Sequence, residues 1–130
     1  MDSSEKIAVF FKALMHPVRL QILAILRDGE ECVCHMEATL GLRQAYISQH
    51  LAVLREAGLV SVRREGWNIY YQAIKAGVFD IIDAAAGMIT GGKGEIELPG
   101  KYRPRGCACP KCSLERSTKV GKIDMPQRTS

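Results

Sequence analysis

Residues 31–60 read ECVCHMEATLGLRQAYISQHLAVLREAGLV, and the spacing of apolar positions and glycines in this stretch decides the fold. Met36 and Leu40 stand one helical turn apart, which predicts a short helix from about Cys34 to Leu40. Gly41 then supplies the backbone freedom of a tight turn. A longer helix is expected from about Gln44 to Ala57, with Ile47, Leu51 and Leu54 on one stripe and Gly58 closing it. Short helix, glycine turn, longer helix is the sequence form of a helix-turn-helix.

Upstream, Asp2 and Glu5 have the spacing of a capping pair, and Ile7, Phe10, Phe11 and Leu14 follow on a helical face ending near Met15. His16-Pro17 breaks that helix and opens a second, to about Arg27, carrying Val18, Ile22, Leu23, Ile25 and Leu26. Downstream, LVSVRR and NIYYQAI are β-prone runs joined by Glu65-Gly66-Trp67-Asn68, a hairpin signal. A last helix is expected over Lys75–Thr90, with Val78, Ile81, Ile82, Ala85 and Ile89 on one side. Residues 91–130 are rich in Gly, Pro and Lys/Arg and have no lasting apolar period, so they read as a basic, cysteine-containing tail to a domain spanning 1–90.

The expected architecture is mainly α with a two-stranded β-wing. Helices and a hairpin of this size bury little, so the apolar stripes of the first and last helices are expected to pair in a homodimer. Two-fold symmetry would also let two reading helices meet successive turns of a duplex.

The chain has 130 residues, 47% of them hydrophobic and 25% charged, enough to build a core. Its excess of +4 is unevenly placed: residues 1–89 sit near −1, and residues 90–130 carry +5. Bulk charge therefore says little about nucleic acid, and the arrangement of polar side chains says more. No apolar run approaches the roughly 20 residues of a membrane span. The N-terminus lacks the basic-then-apolar order of a signal peptide. A cytoplasmic protein with no membrane partner is expected. Five cysteines, an odd number, then read as thiols or metal ligands.

The Gln44–Ala57 helix leaves Gln44, Tyr46, Ser48 and Gln49 free of its core stripe, and such amide and hydroxyl groups pair with base edges in the major groove. His50 reads either as part of this DNA-facing set or as a satisfied structural histidine. Arg43 before the helix, with Arg63 and Arg64 on the first hairpin strand, suit phosphate, and the hairpin tip at Gly66-Trp67-Asn68 is placed to lie along the neighbouring minor groove. The partner so implied is double-stranded operator DNA.

The stretches KALMHPVRLQILAIL, ISQHLAVLREAGLV and RREGWNIYY resemble the winged-helix repressors of the ArsR/SmtB family over about residues 7–89. The resemblance implies a homodimeric repressor that leaves its operator when an inducer ion binds. It makes the Gln44 helix the recognition element and residues 59–74 the wing. Trp67 departs from the family, which more often carries a basic residue there.

Cys32-Val33-Cys34 stands at the entrance to the short helix. Thiolates two apart can both reach one ion from extended or turned backbone but not from a continuous helix, where they diverge by about 200°, so binding is expected to distort or unwind the helix start. In the family a similar Cys-Val-Cys is associated with arsenite, antimonite, cadmium or lead, usually followed by an acidic residue; here His35 follows. Cys107, Cys109 and Cys112 form a second cluster that no core explains. Soft thiolates select soft ions: three sulfurs suit As(III) or Sb(III), four suit Cd(II), and no organic cofactor is implied. The tail thiols either complete the Cys32/Cys34 site, in cis or from the partner, or make their own; sharing is favoured because it couples the ion to the reading helices. The family's other site, on the last helix, requires histidine. Only Asp80 and Asp83 are offered there, as all three histidines lie at or before His50, so that site is expected to be absent and the two carboxylates to form a solvated face or a cap interaction.

Two rivals use the same thiols. They could sense oxidants or hold an iron–sulfur cluster. Alternatively Cys109-Pro110-Lys111-Cys112 could serve a thiol–disulfide oxidoreductase, though no strand or helix is expected around it. No hydrolytic triad, phosphate loop or paired catalytic carboxylates are present, so an enzyme is not expected.

Overall fold

Helix α1 (Ser3–Leu14) begins at a reciprocal cap in the computed structural model, which describes residues 2–92. The Asp2 carboxylate accepts from the Glu5 amide at 2.8 Å, while the Glu5 carboxylate accepts from the Asp2 amide at 3.0 Å. Helix α2 (Pro17–Leu26) starts on proline, and His16 in extended backbone caps it, Nδ1 accepting from the Val18 amide at 3.1 Å.

Helices α3 (Val33–Leu40) and α4 (Gln44–Glu56) form the helix-turn-helix. Gly41 makes the turn between them at φ +68°, a left-handed conformation that a side chain would strain. Strands β2 (Val60–Glu65) and β3 (Asn68–Ala73) pair antiparallel from Val60↔Ala73 to Glu65↔Asn68. That register leaves Gly66 and Trp67 as the whole turn. Helix α5 (Gly77–Thr90) starts two residues later than the Lys75 expected, because Lys75 forms a turn that accepts from the Val78 amide.

The hairpin does not stand alone. Glu31 and Cys32 form a short strand, β1, that pairs antiparallel with β3 in the order β1-β3-β2. Glu31 lies opposite Tyr71 and Cys32 opposite Tyr70. The wing is therefore rooted in a third strand contributed by the entrance to α3.

Ile22, Leu23, Ile25, Met36, Ile47, Leu51, Leu54, Leu59 and Val60 make one core between the helices and the base of the hairpin. Each such side chain contributes roughly 1.5–3 kcal/mol by leaving water. By contrast Ile7, Phe11 and Met15 of the α1 region, with Ile81, Met88 and Ile89 of α5, are exposed. No single helix among the described residues is long and apolar enough to cross a membrane.

Candidate functional site

Ile47, His50, Leu51 and Leu54 are the buried arc of α4. Gln44, Ala45, Gln49 and Ala52 lie on the opposite, exposed side, and Ser48 is half-buried beside it. Ala45 and Ala52 carry no polar group and so give no sequence signal for base contact. Their small side chains let the helix approach a groove closely, and a methyl can pack on a thymine methyl. Arg43 caps α4 in extended backbone without a side-chain cap bond, and the first turn holds no acid. The positive end of this helix is thus unopposed locally.

His50 turns inward rather than onto that face, with 7% of its surface exposed. The Arg19 guanidinium stands 3.2 Å from its Nδ1, and since arginine only donates, Nδ1 accepts and the proton sits on Nε2. That Nε2 has no partner among the described residues. The His16 ring packs 4.3 Å from the His50 ring, and Tyr46 meets it edge-on at 4.8 Å. Burial, then the nearby His16 and Arg19, lowers the His50 pKa from its ordinary 6.5. Arg19 also donates to the carbonyls of Ala13 and Lys12. One cation therefore ties the end of α1 to the middle of α4. The sequence carried a signal for it, a lone charge within the apolar run of α2.

On the wing the two arginines part ways. Arg63 is held by Glu30, at 3.1 Å to Nε and 2.6 Å to Nη2, and by Glu65, at 2.9 Å to Nη1. These carboxylates, Glu30 first, raise its pKa further above the ordinary arginine value. The guanidinium also lies 4.8 Å over the Tyr70 ring. Arg64 is exposed and has no ion-pair partner among the described residues.

Cys32 caps α3 in extended backbone, φ −90° and ψ 163°, and Cys34 lies in the first turn of the helix. Their sulfurs are 2.7 Å apart. The two meet because the pair straddles the helix boundary, with Cys32 in extended rather than helical backbone. Cys32 and Tyr70 form a small buried cluster, with Cys34 packed against it. His35 is buried, its Nδ1 4.0 Å from the Glu31 carboxylate. Among the described residues no group of three His, Cys, Asp or Glu side chains is placed to hold a metal ion. Cys107, Cys109 and Cys112 lie outside the described residues. On α5, Asp83 pairs with Arg27, a partner the sequence did not indicate, and this pairing lowers the Asp83 pKa.

The model of the bacterial regulatory proteins of the arsR family matches residues 16–62, from the α2 cap into the first wing strand. A biofilm growth-associated repressor from Agrobacterium fabrum is 42% identical over 79 residues, spanning 61% of this chain and 68% of the relative. This chain belongs to the ArsR family. Reduced HlyU from Vibrio cholerae, a solved structure, superposes with a TM-score of 0.59 at 38% identity, covering 65% of this ArsR-family chain and 90% of its own. A homodimeric winged helix-turn-helix DNA-binding domain from Mycobacterium bovis gives 0.61 at 30% identity, covering 72% and 89%. An ArsR-family chain is a transcriptional regulator and not an enzyme.

Proposed function

We propose that this regulator is a cytoplasmic homodimeric repressor that binds operator DNA through α4 and the wing. A thiophilic ion held by cysteine thiolates releases it. As(III) or Sb(III) is the favoured inducer, then Cd(II) or Pb(II). Residues 1–90 act as the DNA-binding and dimerisation domain, and residues 91–130 as a tail that donates further thiols.

The observation that carries the ion reading is the meeting of the Cys32 and Cys34 sulfurs at the junction of β1 and α3. Two thiols do not complete a site, so Cys107, Cys109 or Cys112 supplies the rest in this reading. The two sulfurs are already in contact, and an ion that takes both together with a tail thiol pulls on Cys32. Cys32 is buried and paired to β3, so its displacement moves the wing root as well as the start of α3. Near-complete switching needs roughly 5.5 kcal/mol of preference between states, and acting on both reading elements suits that demand.

For DNA, Gln44, Tyr46, Ser48 and Gln49 read bases, with Arg43 and Arg64 on phosphate. Arg63 and His50 support the elements that carry these contacts. The exposed apolar residues of α1 and α5 make the dimer surface.

The test begins by selecting a duplex of about 30 base pairs, long enough for two half-sites, from a random library on the full chain. Arsenite, antimonite, cadmium, lead and zinc are then titrated into the complex, wild type beside a truncation before Lys101. Dissociation with a near-ultraviolet thiolate-to-metal band is expected, at weaker ion affinity in the truncation. Bound iron in the purified protein, or release by oxidant and by no ion, would transfer the reading to a redox or iron–sulfur sensor.

A further inference from the structure

We propose that Trp67, at the tip of the β2–β3 turn, reads the minor groove flanking the major groove entered by α4, preferring A·T to G·C. The inference rests on the DNA-binding reading above.

Trp67 is the chain's only tryptophan, and 99% of its surface is exposed. Tryptophan is ordinarily among the more buried residue types. The indole is not draped over the wing; it stands out from it. The turn that presents it is short and closed by the Glu65↔Asn68 pair, and Gly66 adopts φ +64°. A two-residue turn of this kind matches the strand twist and holds its tip firmly.

The reach fits a duplex. Val60, at the hairpin root, is buried in the core against which α4 packs, and the strand runs six residues from there to the turn. At about 3.3 Å per residue the tip stands roughly 20 Å from that root. Half a turn of duplex is about 17 Å, so the adjoining minor groove lies within the span of a wing of this length beside a helix in the major groove.

The chemistry fits as well. Glu30 and Glu65 already surround Arg63, which leaves the tip with an aromatic ring and the single open cation Arg64. A minor groove about 6 Å wide admits a flat ring edge-on. Its floor shows only acceptors at A·T and T·A pairs, whereas G·C adds the guanine N2 amino group. The indole Nε1–H only donates, so A·T offers it a partner and the guanine amino group obstructs it.

The test uses the full chain and the selected duplex, with binding read by anisotropy of a dye on the DNA and the tip read by tryptophan emission. Wild type is expected to bind with an emission shift. Exchanging A·T for G·C at the flanking positions should weaken it by about three- to tenfold, the scale of one net hydrogen bond. Exchange for inosine·C, which lacks the amino group, should restore affinity. Trp67→Ala, folded by circular dichroism, should bind all three duplexes alike. Binding with unchanged emission overturns the proposal, as does an emission shift without flank preference or a preference that survives Trp67→Ala. Absence of any anisotropy change defeats the DNA-binding reading itself, and this inference with it.

Discussion

Cys32 lies directly opposite Tyr70 across the β1–β3 ladder, and the Tyr70 ring in turn carries the Arg63 guanidinium at 4.8 Å. Arg63 is opposite Tyr70 in the β2–β3 ladder, so the three residues form one row across the sheet. A buried thiol is thus two side chains away from the exposed edge of the wing. Glu30, just before β1, closes the row by pairing with Arg63.

Replacing both Cys32 and Cys34 with Ser should leave operator binding intact, because in this reading neither thiol touches DNA. Release by arsenite should be lost. An electrophoretic shift assay with added arsenite reads both. Loss of DNA binding in the double variant would make the pair structural instead.

Arg64→Ala should flatten the slope of log affinity against log salt by about one unit, the signature of one lost phosphate contact. Arg63→Ala should change that slope less, because its charge is already matched by Glu30 and Glu65. Its expected effect is weaker coupling, with more arsenite needed for release. Equal slope changes for the two variants would contradict this division.

His50 makes stability depend on pH, and the sign follows from its lowered pKa. Below about 6.5 the unfolded chain binds a proton that the folded chain still refuses. The stabilisation is therefore complete above about 6.5 and declines as pH falls from there toward the folded pKa. Melting temperature should drop over that window, and His50→Gln should flatten the decline. An unchanged profile in the variant would assign the dependence elsewhere.

Leu54→Ala should cost about 2–5 kcal/mol in urea unfolding, since Leu54 is fully buried where α4 meets the core. Operator binding should fall with the folded fraction and recover at low temperature. A loss smaller than about 1 kcal/mol would mean that the core collapses around the gap.

Ile89→Glu places a charge in the exposed apolar face of α5. Sedimentation should show a monomer at concentrations where wild type is dimeric. Operator affinity should fall more than tenfold as the second half-site contact is lost. A dimer unaffected by this change would move the interface away from α5.

Local chemistry was legible in the sequence. The Asp2/Glu5 cap, the proline start of α2, the Gly41 turn, the Ile47–Leu51–Leu54 stripe and the Gly66-Trp67 hairpin all depend on neighbours a few residues apart, where period and turn preference act. Strand β1 was not legible, because two residues have no period and their partners Tyr70 and Tyr71 lie far along the chain. Tertiary structure also decided which way His50 faces, through Arg19 and His16, and which wing arginine is matched, through Glu30, 33 residues before Arg63. The physical reason is common to all three: a side chain's charge and polarity are written at its own position, whereas what neutralises or buries it arrives from wherever the fold brings the chain back.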